Sequence, residues 1–194
     1  FGYKVAVWAA EVRRHLGRLE EARPRVFTGQ FAGAVGTLAS VSERGLEIQE
    51  ALLDELNLSV PVICWNTARD GIVECISILC MITATLGKIA NEIVNLQRTE
   101  IAELEEPFVM GKVGSSTMPH KRNPVLSENL TGLARIVRAA VIPAFENVAL
   151  WHERDISHSS TERVFAPDAT IALDFALARL AGVMENLVVH PKAM

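Results

Sequence analysis

The chain has 194 residues, a formal net charge of −4 and 49% hydrophobic residues, with 6% aromatics and one Tyr. That length allows one domain with a real core or a piece of something larger, and the lack of a basic excess argues against a nucleic-acid surface while leaving room for small-anion sites. An apolar content carried by Ala, Leu, Val and Ile with few aromatics favours helices packed on helices, an all-α protein, over a sheet sandwich.

The sequence opens at Phe1 in what reads as a helix already under way, so we expect a central piece of a longer chain. Val5, Trp8, Val12, Leu16 and Leu19 recur at intervals of three and four, which predicts an amphipathic helix to about residue 22, stopped by Pro24. In "TGQFAGAVGTLAS", residues 28–40, Gly29, Gly33 and Gly36 suit a tight loop that is either a packing turn or a lining for substrate. "SERGLEIQEALLDELNL" begins with a capping-type Ser42 and carries Leu46, Ala51, Leu52 and Leu56 at helical spacing, which predicts a short helix ending before Pro61.

No proline interrupts residues 67–99, where Ile72, Ile76, Leu79, Ile82, Leu86, Ile89, Ile93 and Leu96 trace a stripe. The expectation is a helix of about thirty residues, roughly 45 Å long. Its apolar residues spill beyond one stripe, implying neighbours on several sides, as at the centre of a bundle or in an oligomer interface. The most apolar run, Cys75 to Gly87, lies between Glu74 and Lys88 and is shorter than the ~18 residues of a membrane span. Cys64, Cys75 and Cys80 form neither an even disulfide set nor a zinc spacing, and read as buried thiols of a reducing, cytoplasmic compartment. No signal peptide, low-complexity tract or internal repeat is evident.

After "RTEIAELEEPF" the periodicity lapses, leaving a loop over about 104–124. Loops of this length in compact helical domains are usually functional or disordered. Pro124 starts a further helix through "PVLSENLTGLARIVRAAVIPAFENVAL", with a kink expected at Pro143. "WHERDISHSSTERVFAPD" is polar and irregular, and a last amphipathic helix is expected over 168–189, with the start of a C-terminal region near 190.

The loop carries a resemblance. "GSSTMPHKRNP", residues 114–124, followed by Glu128, resembles the signature loop of the fumarase/aspartase superfamily, G-S-S-x-M-P-x-K-x-N-P. Within that superfamily "LQRTE", "MPHKRNPVLSENLTGLAR" and "ENVALWHERDISHSSTERVFAPDA" are similar to the adenylosuccinate lyase family, end to end but over only the middle of such an enzyme. The resemblance implies a bundle of long helices and a reaction that removes a proton beside a carboxylate, expels a nitrogen or oxygen leaving group and releases fumarate. Such chemistry needs a base at the carbon and fixed positive or hydrogen-bonding groups where charge develops.

By the same resemblance Ser115 is the general base, and Lys121 and Asn123 hold the substrate carboxylate and its aci-form. Glu128 orients a histidine acting as general acid, expected upstream of Phe1 together with an N-terminal domain. Arg154, Ser159 and Arg163 take the nucleotide side of a small-molecule substrate, with Ser159 and Arg163 at the phosphate, for which guanidinium offers planar paired donors. No cofactor is implied and no metal cluster is evident. Family members are homotetramers in which each site borrows loops from three subunits, so this piece alone is expected to be nearly inactive. From the residues alone, Ser115 also fits a capping hydroxyl, Glu128 a solvent-facing carboxylate, and the arginines helix-end ion pairs such as Arg154 with Asp155. His152 and His158 fit supporting or exposed positions better than ligands, and His120 has no assigned role.

One stretch departs from the pattern. In "PVICWNTARDGIVE", Trp65 stands where adenylosuccinate lyases carry a substrate-binding Gln, while Asn66 and Gly71 replace the His and second Arg of the "WHTxRDR" form of carboxymuconate cycloisomerases. The departures bear on the substrate rather than the fold. Adenylosuccinate and the related succinyl-carboxamide ribotide are the expected substrates, with a cycloisomerase-like enzyme and a non-catalytic helical scaffold as rivals. Arg69 and Asp70 match the family, Arg69 as a contact to substrate or loop or as half of a structural ion pair.

Overall fold

A computed structural model describes every residue except 42, 109–116, 119, 120 and 153. Along the chain come α1 (Gly2–Val26), α2 (Gly45–Glu55), α3 (Asp70–Leu96), β1 (Leu104–Glu105), α4 (Val125–Ala139), α5 (Val141–Glu146), α6 (Ser157–Glu185) and β2 (Val188–Val189). The protein is all-α, as its composition implies, and among the described residues the one sheet is the antiparallel pair β1–β2, with Leu104 opposite Val189 and Glu105 opposite Val188.

The bundle is organised around α3, whose 27 residues span about 40 Å. By length and composition α3 is apolar enough to cross a membrane, more so than the short run inside it suggests, but here α1, α4, α5 and α6 pack against it. Toward its C-terminal end Ile82, Leu86, Ile89 and Ile93 join Leu130 of α4 and Leu173, Leu180 and Val183 of α6. Toward its N-terminal end Val73, Ile76 and Cys80 join Val137 of α4, Ala144 of α5 and Phe165 and Ala169 of α6. So α4 runs antiparallel to α3, and α6 parallel to it. Small residues permit a close approach: a Cβ on Gly87 would lie 2.8 Å from the Cβ of Ala134.

Pairs along α1 and α3 fix them as antiparallel neighbours: Lys4 with Glu92, Glu11 with Lys88 and Arg25 with Glu74. Between these, buried His15 accepts a hydrogen bond from Arg18 at Nδ1, so its Nε2–H donates to Thr85 Oγ1 at 2.9 Å. Burial pushes the His15 pKa down, which keeps the imidazole neutral in this packed position.

Several expectations are corrected. Pro24 lies inside the last turn of α1, where its missing N–H removes one bond, and Phe27 N–H still closes the helix on Arg23 O at 2.9 Å. The buried face of α1 is Trp8, His15 and Ala22, while Val12, Leu16 and Leu19 are exposed. α2 buries Gly45, Gln49 and Leu53 and leaves Leu46, Leu52 and Leu56 outside; Ser42, its expected cap, falls outside the described residues, and Arg44 occupies the N-cap position without a side-chain cap. The expected kink becomes a break at Ala140, because Pro143 in the first turn of α5 cannot donate to the preceding turn. α6 starts eleven residues before the expected 168, at Ser157, passes through Pro167 and ends at Glu185, where β2 replaces the expected last turn.

Candidate active site

Two groups of the expected residues lie at opposite ends of the bundle. At the end formed by the C-terminus of α3, residues 121–124 lead into α4. Lys121 is exposed with its N–H on Met118 O at 3.0 Å, Asn123 is half-buried with its carbonyl accepting Val125 N–H at 2.8 Å, and Glu128 is exposed on the first turn of α4. Between them Arg122 turns back toward the bundle. It pairs with Glu105 at 2.6 Å, its guanidinium lies 5.0 Å over the ring of Phe108, and its carbonyl accepts Gln97 Nε2 at 3.3 Å. With Arg122 so engaged, Lys121 and Asn123 are the polar side chains of this run left for a ligand. Ser115, His120 and most of the signature loop lie outside the described residues.

At the other end are Arg69, Arg154, Ser159 and Arg163. Arg69 occupies the N-cap position of α3 and is 6% exposed. Its Nη groups donate to Ala68 O at 3.2 Å and Asn66 O at 2.9 Å, and its Nε lies 3.0 Å from Glu162 Oε1 of α6. Of the readings open for Arg69, the geometry is that of a structural ion pair. Ser159 and Arg163 stand on the first two turns of α6 rather than in an irregular loop, with Ser159 half-buried and Arg163 exposed. Arg154 is exposed, and among the described residues neither it nor Arg163 is in an ion pair.

Sequence reading missed the groups that hold this end in shape. Asp155 accepts Trp151 N–H at 2.9 Å, Ser157 N–H at 2.8 Å and the Ser157 hydroxyl, so it closes the turn that leads into α6 instead of pairing with Arg154. His158 is buried and its Nδ1–H donates to Asp155 O at 2.8 Å. Buried Asn147 bonds Thr161 Oγ1 at 2.7 Å, tying the end of α5 to α6. The Asx-x-Ser spacing of Asp155 and Ser157 was the signal available in the sequence.

The Ser157 hydroxyl and the two backbone amides hold Asp155 at a pKa of about 2, below its ordinary 3.8. A carboxylate whose folded-state pKa is depressed stabilises fully above its unfolded value and loses that contribution as pH falls through the folded one. Asp155→Asn is therefore expected to narrow the stability difference from wild type as pH drops from 3.8 toward about 2, and to leave the difference constant at neutral pH. Denaturant midpoints for both proteins across that range check it.

The departing residues have local partners. Trp65 Nε1–H donates to Gly29 O at 2.7 Å, Trp65 N–H donates to Gln30 Oε1 at 3.0 Å, and Asn66 Oδ1 accepts Gln30 Nε2 at 2.7 Å. The glycine-rich loop is thereby fastened to the segment before α3, with Gly33 and Gly36 at φ of 75° and 81°, the left-handed region that glycine tolerates. Beside it a groove of about 730 Å³ runs between the end of α1, residues 59–65 and the starts of α3 and α6, with Trp65, Gly71, Ile72 and Glu162 in its wall. None of Lys121, Asn123, Glu128, Ser159 or Arg163 lines it. Among the described residues no group of three His, Cys, Asp or Glu is placed to hold a metal ion.

Fold and site together define a long-helix bundle with separate polar groups, suited to anionic ligands, at its two ends, about 40 Å apart along α3. Residues 1–139 match the family model described as "Lyase", and the chain belongs to that family, within the fumarate lyase superfamily. The whole chain is 47% identical to adenylosuccinate lyase of Staphylococcus saprophyticus, of which it covers 44%. It superposes on a fumarate lyase from Mesorhizobium sp. BNC1 with a TM-score of 0.89 and 36% identity, covering 100% of this chain and 42% of that one. For 3-carboxy-cis,cis-muconate lactonizing enzyme from Pseudomonas putida the TM-score is 0.91 at 37% identity, covering 99% of this chain and 43% of that one. The chain thus spans less than half the length of these relatives.

Proposed function

We propose that this chain, within a protein of the length of its relatives, catalyses β-elimination of fumarate from adenylosuccinate, giving AMP, and from the succinyl-carboxamide ribotide of purine biosynthesis. Ser115 takes the proton from the carbon beside the carboxylate, Lys121 and Asn123 stabilise the charge that develops there, and the C–N bond breaks as a histidine oriented by Glu128 protonates the leaving nitrogen. Arg154, Ser159 and Arg163 hold the nucleotide. The observation that carries this reading is the position of Ser159 and Arg163 on the first turns of α6, where the helix dipole and guanidinium both favour phosphate. The 47% identity to an adenylosuccinate lyase over the whole chain supports it.

The two groups of site residues cannot meet within one subunit across about 40 Å. We therefore place each site between subunits of a homotetramer. Two-fold packing of long helices brings one end of a bundle beside the opposite end of its neighbour, and exposed Val12, Leu16, Ile136, Ile171 and Phe175 offer apolar surface for it. We place the protein in the cytoplasm, where its three free cysteines stay reduced.

A second reading, a carboxymuconate cycloisomerase-like enzyme, is favoured by the structural likeness to the Pseudomonas lactonizing enzyme and by Trp65, although Asn66 and Gly71 depart from that pattern too. Purified full-length protein assayed on both substrates separates them. Fumarate release from adenylosuccinate is expected; turnover of carboxymuconate alone would replace the first reading by the second.

A further inference from the structure

The two described ends of the signature segment meet at one carboxylate. Glu106, one residue past β1, is 6% exposed. Its Oε1 accepts Leu126 N–H at 2.9 Å, and its Oε2 accepts the N–H and hydroxyl of Ser127 at 2.8 and 2.9 Å. Leu126 and Ser127 are the second and third residues of α4, whose amides have no partner within the helix. Pro124 at the N-cap position supplies no side-chain cap, so α4 is capped from 20 and 21 residues away in sequence.

The surroundings reinforce the tie. Gln97, at the C-cap of α3, accepts Glu106 N–H at 2.8 Å through Oε1 and donates to Arg122 O through Nε2. Arg122 in turn pairs with Glu105, so residues 105–106 and 121–122, the two legs of a stem, are fastened to the end of α3. Among the described residues Glu106 meets hydrogen-bond donors and no cation, and its charge faces the positive end of the α4 dipole. Ser, Thr or Asp at position 124 would cap α4 as well locally, whereas burying a carboxylate from another segment carries a desolvation cost. What the distant carboxylate adds is a fixed geometry between the stem and the first turn of α4.

We infer that Glu106 is a positioning residue that sets where Lys121, Asn123 and Glu128 stand relative to the bound substrate. The inference rests on the proposed roles of those three residues. Glu106 touches no substrate; it acts through the amides of Leu126 and Ser127. Glu106→Gln keeps the shape but turns an NH₂ group toward donors that need an acceptor, and Ser127→Ala removes only one of the three bonds.

The test uses full-length protein, wild type, Glu106→Gln, Ser127→Ala and the double variant, with two independent readouts: hydrogen exchange at the Leu126 and Ser127 amides, and kcat and KM per folded subunit. Expected for Glu106→Gln are exchange faster by about tenfold or more and kcat lower by about tenfold or more, with kcat falling further than KM rises, since small displacements of groups that act at the transition state are costly. Ser127→Ala is expected to lose about threefold, and the double variant to be no worse than Glu106→Gln, because both act on one unit. Unchanged exchange would refute the tie itself. Faster exchange with wild-type kcat would reduce Glu106 to a helix cap and overturn the inference. If wild type releases no fumarate from adenylosuccinate, the substrate reading fails; the same comparison on carboxymuconate, together with exchange, still judges Glu106.

Discussion

Replacing Ser115, the proposed base, by alanine in the full-length protein is expected, under the proposed reaction, to lower kcat for fumarate release by about 10²–10⁴-fold while KM changes little, the loss typical of a removed general base. A serine hydroxyl becomes a base only where its ionised form is stabilised, by amides of a glycine-containing loop and a neighbouring ammonium such as Lys121. Alanine removes the oxygen and keeps the backbone donors, so substrate still binds and the proton still stays on carbon. Steady-state kinetics on adenylosuccinate decide the matter. Wild-type kcat in the variant would put the base elsewhere, and a large loss is incompatible with a non-catalytic scaffold, which has no turnover to lose.

Glu162→Ala is expected to destabilise the protein by about 3 kcal/mol, because it leaves the buried guanidinium of Arg69 without its counterion. Arg69 keeps its bonds to Ala68 O and Asn66 O. The 3.0 Å contact to Glu162 lacks the alignment of a good hydrogen bond, so the loss is chiefly that of charge compensation. A urea midpoint that falls at unchanged slope is the expected signature. Replacing both partners together, Arg69→Met with Glu162→Leu, should recover most of the loss, since an apolar pair carries no desolvation cost. Were Arg69 a substrate contact instead, the double variant would be as stable as wild type and would show a sharply raised KM.

Where apolar residues repeat without interruption the sequence was legible: α3 lies within three residues of its expected bounds at either end, and the stripe from Ile76 to Leu96 is buried apart from half-buried Leu79. The fold class and the family followed from composition and from "GSSTMPHKRNP". Helix faces were less legible. α1 turns His15 inward and Leu16 outward, because a small polar pocket against Thr85 satisfies the imidazole, and a stripe of hydrophobic residues cannot reveal which side a neighbour occupies. Prolines misled in the other direction. Pro24 and Pro167 each remove one backbone bond, and burial of Ala22, Phe165 and Ala169 nearby outweighs that loss. The strands β1 and β2 are two residues each, below the length at which alternation can be seen.

Site residues divide in the same way. Lys121, Asn123, Glu128, Ser159 and Arg163 were proposed from the resemblance, and nothing in their spacing shows that α3 holds the two sets apart. Glu106 was invisible for a different reason. In "AELEEPF" three glutamates stand within four residues, and only the packing of Leu104 against the core decides that Glu106 turns inward with it while Glu105 pairs with Arg122.

The separation of the two polar ends makes turnover, under the proposed reaction, a property of the assembly rather than of the polypeptide. A solitary subunit would carry the proton-removing half of one reaction centre and the phosphate-gripping half of another, with no complete centre anywhere. Specific activity should then fall on dilution with a steepness set by subunit dissociation, long before any helix melts.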